Sequence, residues 1–512
     1  MLKRILKALT AMVAGQGITI LANVLLVPLY LKVWSIAVYG EWLAIFSAVS
    51  YLTNLDLGMQ MYVVNRLTRA YTKGDIEDYR TCQHTALAFY LSIALIGTAI
   101  LLALAVTLPI SSMLNIIETH RASAAIVIVL LGSQLLWSLP AGLCLSIYRT
   151  AGDLNTTQWL ANLQRILAFG FTAGTLLIYP TMPAIACVQL IPLMVTTSYA
   201  WWDGKRRYPQ FALGLACANW KIFQEMIRPS LFFALIILAM AIGLHGSTLL
   251  IAATLGAASV ALFVTTRTLT NMVRQLIGLI YNAAWPDLTR LDALAERRQL
   301  RTSLRLLVTI STGGCLAVAA CLWFEGTEIF SCWTAGRLAP DPTLLRLMLV
   351  YLVLQSPWLA ASAFPLATNQ HRSLSLSYLI ANAGGLVLAA LLIPWLGING
   401  LPIALICGEA LACYHFVLRD ACRQVEEDYL RFAARLWTGM LAIAFTAGLS
   451  AWTIHHFSEL PMLLRWSLSG AGSLLMTVLV SWQFWLRNEE RIWIRSKIFA
   501  VYRHQEGATA KI

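Results

Sequence analysis

Charged side chains are scarce in this sequence: Asp, Glu, Lys and Arg make up 12% of 512 residues, against about a quarter in an ordinary soluble domain. That scarcity excludes a water-soluble globular enzyme. The ten cysteines stand in apolar stretches without CxxC or CxxH spacing, which argues against a disulfide framework and against a zinc site. No GxxxxGK[ST], GxSxG or HExxH motif occurs, so ATP-driven transport by this chain alone and the corresponding hydrolase chemistries have no footing. The adjacent pair His455-His456 faces two directions on a helix and makes a poor metal site. No cofactor, no metal, no catalytic residue and no nucleic-acid partner is expected.

What fills the space is apolar. Hydrophobic residues account for 59% of the chain, with 18 Trp, 17 Tyr and 18 Phe, a composition that cannot remain a solvated coil. A membrane-spanning helix needs roughly 20 apolar residues to cross about 30 Å of hydrocarbon. Apolar stretches of that length, separated by charged or Pro/Gly-marked breaks, number fourteen, from 9–31 and 40–62 through 303–325 and 344–368 to 435–455 and 464–486. The expected fold class is therefore an all-α integral membrane protein with about 14 transmembrane helices. Met1 to Lys7 carries three positive charges before the first run, but no small-residue cleavage site follows, so the run is read as a retained span.

Charge sets the expected topology. With the N-terminus cytoplasmic, 29 of the 37 Lys and Arg fall in inner segments. Lys32, Arg121, Arg337, Arg346 and Arg465 fall outside, while Arg165, Arg267 and Arg274 lie within spans. That bias places both ends of the chain inside. The net charge of +13 is then a topological signal. The longest outer connection is expected at 326–343, too short for an extracytoplasmic catalytic domain. The tail from Arg491 to Arg503 reads as an interfacial amphipathic helix.

Sliding the chain by 221 positions lays Leu67-Thr68-Arg69, Asp75 and Arg80 over Leu288-Thr289-Arg290, Glu296 and Arg301; a shift of 220 lays Ala161-Asn162 over Ala381-Asn382. Two parallel six-helix lobes, 1–215 and 216–430, are expected, related by an axis along the membrane normal. Helices 13 and 14 (431–486) and a cytoplasmic tail (487–512) follow.

Polar residues at bilayer depth are costly and generally face a bundle interior or a wet cavity. In span 8 (258–284), Arg267, Asn271 and Arg274 are spaced i, i+4, i+7 and share one helix face. Two guanidinium forks there suit phosphate oxygens; pairing with membrane carboxylates or snorkelling is the plainer alternative. Span 1 carries Gln16, Thr19 and Asn23 on one face below Pro28, where a kink is expected, and span 5 repeats the spacing with Gln158, Asn162 and Arg165. Span 2 carries Thr53, Asp56 and Gln60 on one face, with Glu41 at its outer edge; the acids are candidates for coupling a proton or cation, or for counterions. Glu409 and His245 stand alone in their spans, where hydrogen bonding between helices is the ordinary job and coupling or counterion duty the alternative for Glu409. Stripes that face one another would enclose a cationic, hydrated cavity selecting an anionic cargo.

The segments Pro28-Leu-Tyr-Leu-Lys-Val-Trp34, Tyr39-Gly-Glu-Trp-Leu43, Leu55-Asp-Leu-Gly58, Asn65-Arg66-Leu67, Gly74-Asp75 and Tyr79-Arg80 resemble the start of the polysaccharide-exporting flippases. These share a superfamily with multidrug extruders and the peptidoglycan-precursor flippase. The resemblance implies a V-shaped pair of six-helix lobes in the bacterial inner membrane. It implies movement of an undecaprenyl-pyrophosphate-linked oligosaccharide from the inner to the outer leaflet by alternating access, for O-antigen or exopolysaccharide synthesis. Cavity arginines of that family are thought to hold the pyrophosphate, which points to Arg267 and Arg274. Partners implied are the lipid-linked oligosaccharide, membrane lipids, and a polysaccharide polymerase with its chain-length regulator. The rivals are a drug or metabolite antiporter of the same superfamily and a membrane polymerase or ligase, for which the short outer loops offer no site.

Overall fold

The structure is a computed structural model that describes residues 2–107, 115–294, 296–367, 372–457, 459–492 and 495. Every regular element among them is helical. Eleven helices are long and apolar enough to cross a membrane by length and composition. One of these, Arg372–Gln424, is 53 residues long and is interrupted at Gly397–Asn399, where Gly397 has φ +57°. A Cβ on Gly400 would lie 2.8 Å from the Leu392 carbonyl carbon, so the chain folds back tightly there and the stretch holds two spans. The helices Leu154–Ile178 and Ala257–Ala293 carry the remaining two expected spans; interior polar residues such as Asn162, Arg165, Arg267 and Arg274 dilute their apolar character. The fourteen-helix reading is thereby accounted for.

Burial is inverted relative to a soluble protein. Large apolar side chains such as Trp395, Phe445 and Leu441 are exposed, whereas Glu41, Asp56, Glu325 and Glu409 are buried. This is the arrangement that acyl chains as solvent demand.

Contact density divides the chain into two units. The first comprises Met1–Thr268, Ser331–Pro340 and Tyr378–Ala404. Its core gathers Met59, Val63, Leu67, Tyr79, Tyr90, Leu143 and Tyr148 from the helices Met59–Lys73, Ile76–Thr107 and Arg121–Thr150. Within it the first helix lies against Leu154–Ile178 so closely that a Cβ on Gly15 would meet Asn162 Oδ1 at 2.4 Å. A second asparagine repeats the device: a Cβ on Gly243 would meet Asn382 Oδ1 at 1.9 Å. Trp333 Nε1 donates to the Val24 carbonyl (2.8 Å) and Arg337 to that of Leu31 (3.0 Å), tying the segment 331–340 to the end of the first helix, whose last carbonyls attract a cation.

The second unit comprises Leu269–Phe330, Asp341–Ser377 and Leu405–Ile512. Val273, Cys315, Ala319, Leu345, Leu349 and Leu352 form its core between the helices Ala257–Ala293, Arg297–Trp333 and Pro342–Ala361. Helix Tyr429–His455 runs beside Met462–Val480. At one end Glu427 takes the guanidiniums of Arg305 and of Arg487 (3.3 Å), with Arg301 at 3.5 Å. Beside them burial pushes the Glu490 carboxyl up, and burial together with Arg305 and Arg435 holds Arg487 down.

Two expectations are corrected. The outer connection is not 326–343: helix Arg297–Trp333 runs on, leaving 334–341 as the connection. Glu325 and Glu328 look like the end of a span, but Arg465 pairs with both and His455 Nδ1 lies 3.1 Å from Glu325, so the helix continues with its charges matched. Span 2 is not one continuous helix. It tightens to a 3₁₀ turn at Tyr51–Asp56 and breaks at Leu57 (φ +50°) and Gly58 (φ +68°). Thr53, Asp56 and Gln60 therefore do not form one helical face. Asp-Leu-Gly is a helix stop, Gly supplying the left-handed position at low cost. The expected amphipathic tail lies outside the described residues except for Arg491, Ile492 and Arg495, and the first helix runs through Pro28 to Val33.

Candidate functional site

The helix Ala257–Ala293 belongs to the first unit as far as Thr268 and to the second from Leu269, so each arginine of its stripe is described with its own neighbours. Arg267 is half-buried. Its guanidinium donates to the Leu244 carbonyl (2.7 Å), Ser247 Oγ (2.9 Å) and Thr248 Oγ1 (3.0 Å), and its Cζ stands 5.0 Å from the Phe263 ring centroid. The carbonyl it holds lies in a π-helical turn, Ile242–Gly246, set between the α-helices Trp220–Ala241 and Ser247–Leu255. A π turn widens the helix and loosens its carbonyl ladder, and Arg267 supplies donors to that loosened backbone. His245, within the turn, meets Tyr51 edge-on at 6.0 Å. The sequence signal was present in Ile-Gly-Leu-His-Gly, where two glycines flank a polar residue.

Arg274 has a different setting. It is half-buried, and among the described residues it makes no hydrogen bond; its described interaction is the field it exerts on Glu409. Glu409 opens another π-helical turn, Glu409–Tyr414, and is 2% exposed. Glu409 Oε1 accepts from Gln355 Nε2 at 3.0 Å and from Tyr351 Oη at 3.2 Å, and the Cys413 thiol one turn on also interacts with the carboxylate. Arg274, Tyr351, Gln355 and Glu409 all belong to the second unit. The sequence pointed to Arg274 and Glu409 separately; nothing in linear spacing joined them or signalled Tyr351 and Gln355. Asn271, between the arginines, is half-buried.

The remaining candidates have local employment. Glu41 is 1% exposed and accepts four hydrogen bonds, from the backbone N–H groups of Ile117 (2.6 Å), Glu118 (2.7 Å) and Thr119 (2.9 Å) and from Thr119 Oγ1 (2.5 Å). It fastens the segment entering helix Arg121–Thr150. Glu41→Gln keeps the shape but turns one accepting oxygen into a donor facing donors. A loss of about 1–3 kcal/mol is expected, read as a lowered unfolding midpoint of the purified protein; an unchanged midpoint would show that the clamp is dispensable.

Asp56 Oδ1 accepts from Tyr90 Oη (2.8 Å) and from the N–H of Gln60 (3.1 Å), capping helix Met59–Lys73 across the break. Asp56 makes no ion pair among the described residues. Asn162 donates to the Ala11 carbonyl at 2.8 Å and accepts from Arg165 Nη1 at 2.8 Å, so the polar stripe of span 5 meets span 1 at Ala11 and Gly15. Gln16 and Asn23 are half-buried on the first helix and Arg165 is exposed. Thr19 spends its hydroxyl on the Gly15 carbonyl.

No protein-family model and no curated protein matches the chain. Solved structures do. An inward-facing multidrug-resistance MATE family transporter of the MOP superfamily is 18% identical, covering 81% of this chain and 94% of its own with a TM-score of 0.64. The lipid II flippase MurJ in an inward closed conformation is 11% identical, covering 93% of this chain and 99% of its own with a TM-score of 0.69. The fold is that of the MATE and MurJ membrane transporters. With this fold and its eleven apolar candidate spans, the chain is a multi-pass membrane protein. The similar structures are transporters and a flippase.

Proposed function

We propose that this protein is a flippase that carries an undecaprenyl-pyrophosphate-linked oligosaccharide repeat unit from the inner to the outer leaflet of the bacterial inner membrane by alternating access, serving O-antigen or exopolysaccharide synthesis. The observation that carries the reading is Arg274, a permanently charged, half-buried fork at bilayer depth without a hydrogen bond among the described residues, its charge felt by the buried carboxylate of Glu409. An ordinary helix contact does not require that expense; a pyrophosphate does. The resemblance of the first 80 or so residues to polysaccharide exporters, and a fold shared with a lipid II flippase, support the same cargo class. Asn271, Arg165, Gln16 and Asn23 are proposed to help hold the headgroup, with Glu409 as the acid available for coupling; Arg267 is instead spent on the π turn, and Glu41 and Asp56 on fastening backbone.

The physical task is to move a polar headgroup while its polyprenyl tail stays in hydrocarbon. Each unpaired sugar hydroxyl costs kcal/mol to bury, so spontaneous crossing is very slow and a wet, cationic path is needed. Moving net negative charge outward from a negative interior is downhill by about 2.3 kcal/mol per charge per 100 mV, which helps without ATP. Both termini are placed in the cytoplasm on the Lys/Arg bias. The two halves, 1–215 and 216–430, are proposed as parallel repeats. In support, an asparagine of the fifth span packs on a glycine of the first, and an asparagine of the eleventh on a glycine of the seventh. A polymerase and a chain-length regulator are the proposed partners.

A drug or metabolite antiporter is the second reading, favoured by the MATE likeness. Deleting the gene and assaying which leaflet holds its lipid-linked sugars separates the readings. Inner-leaflet accumulation is expected of the flippase. Unpolymerised outer-leaflet material would instead indicate a polymerase or ligase, and unchanged lipid-linked sugars an antiporter.

A further inference from the structure

The second unit contains an apolar crevice of about 410 Å³ that the transport reading does not use. It is bounded by three helices, Arg297–Trp333, Pro342–Ala361 and Tyr429–His455, through side chains that include Trp323, Phe324, Leu349, Val353, Trp437 and Ala444. No charged residue lines it. Trp323, Val350 and Trp437 are each about two-fifths exposed, so the crevice is open on the surface of this unit, and an apolar surface on a membrane-spanning protein is suited to acyl chains.

Its length and its end are informative. The lining runs from Leu316 to Phe324 on one helix and from Trp437 to Gly448 on another. At 1.5 Å per residue these stretches measure about 12 and 16 Å, roughly one leaflet of a 30 Å hydrocarbon core. The Phe324 end carries an uncompensated cation. Arg346 is exposed, and its Cζ stands 5.5 Å from the ring centroid of Trp323, itself a crevice wall. Arg346 has no ion pair among the described residues. The carboxylates on the same helix as Trp323 are already engaged: Glu325 by Arg465 and His455, and Glu328 by Arg465. Asp341 is occupied capping its helix through the N–H groups of Thr343 and Leu344.

We propose that this crevice binds one acyl chain of an anionic phospholipid whose phosphate is held by Arg346. The occupant matches on both counts: a leaflet-long slot of apolar walls takes a leaflet-long chain, and a guanidinium at the slot's mouth takes a phosphate oxygen. On the topology expected from the Lys/Arg bias, Arg346 faces the outer surface, so the lipid belongs to the outer leaflet. The bound chain fills a gap between the helix Tyr429–His455 and its two neighbours, making the docking of that helix lipid-dependent.

The test uses the full-length protein purified in detergent, with phosphatidylglycerol or phosphatidylcholine titrated in and the retained lipid counted by native mass spectrometry. One phosphatidylglycerol per chain is expected to be held in preference to phosphatidylcholine. Arg346→Ala, a surface change, should weaken phosphatidylglycerol by about tenfold, the scale of one charge-assisted contact, with phosphatidylcholine unaffected. Ala444→Trp, which fills the slot, should remove both. Because Ala444→Trp risks misfolding, phosphatidylglycerol brominated on its acyl chain supplies a second readout: it should quench the fluorescence of the unaltered protein, and less so that of Trp323→Phe and Trp437→Phe. Equal retention of the two lipids, a preference untouched by Arg346→Ala, quenching indifferent to both tryptophans, or displacement of phosphatidylglycerol by undecaprenyl phosphate at equal concentration would each overturn the assignment.

Discussion

Arg274→Ala is expected to lower flipping of the lipid-linked sugar by about 10- to 100-fold, the equivalent of losing a charge-assisted hydrogen bond worth about 1.5–3 kcal/mol, while the protein still inserts. Arg274→Lys should fall between, because an ammonium keeps the charge but loses the planar fork that engages two phosphate oxygens at once. Accumulation of inner-leaflet lipid-linked sugar in cells, normalised to the amount of protein in the membrane, measures both. The basis is the contrast between the two arginines of one helix. Arg267 has its donors occupied by Leu244, Ser247 and Thr248, so Arg267→Ala should act mainly by loosening the π turn. Arg274 makes no hydrogen bond among the described residues. Normal flipping by both Arg274 variants would end the role assigned to it and leave the antiporter reading standing.

Glu409→Gln should separate transport from its driving force. Glutamine can accept from Gln355 and Tyr351 as Glu409 Oε1 does, at 3.0 and 3.2 Å. It removes the charge opposite Arg274 and the site where a proton or cation would be taken up. In vesicles with an imposed pH or sodium gradient, gradient-driven transport is expected to drop about tenfold or more, with passive exchange of the cargo preserved. A gradient response equal to that of the unaltered protein would remove Glu409 from the coupling step. Because the Arg274 charge acts on Glu409 through space, Arg274→Ala and Glu409→Gln should not be additive; an interaction of about 0.5–3 kcal/mol is the range for coupled residues. Additive losses would place them in independent steps.

How much of this was legible in the sequence varies by element. Membrane-spanning helices were, because a helix in lipid must be long, apolar and internally hydrogen-bonded whatever its neighbours do; the helix starting at Pro342 matches the expected span 344–368. The polar residues at depth were legible as candidates too, since each stands out against an apolar background. Their partners were not. Glu41 and the N–H groups of Ile117 to Thr119 lie 76 to 78 positions apart, and Glu325 is 140 positions from Arg465. The charge pair Glu325–Glu328 was misread as a span end because the sequence does not show the arginine and histidine that neutralise it. The break at Leu57–Gly58 escapes hydropathy, which averages across it, because the left-handed backbone there is a matter of local stereochemistry.

By itself the sequence determined that the chain spans a membrane many times, roughly where the spans lie, and which polar residues fall within them. These follow from composition and local periodicity, and each is settled within about 20 residues of chain. Only the tertiary structure decided what each immersed group does. It turned Glu41 and Asp56 into fasteners of backbone, gave Arg267 to a π turn, and brought Arg274 to Glu409 with Tyr351 and Gln355 beside it. Whether a buried charge is a strut or a working group depends on how many of its hydrogen-bonding positions are already filled, and that is fixed by residues far away in sequence.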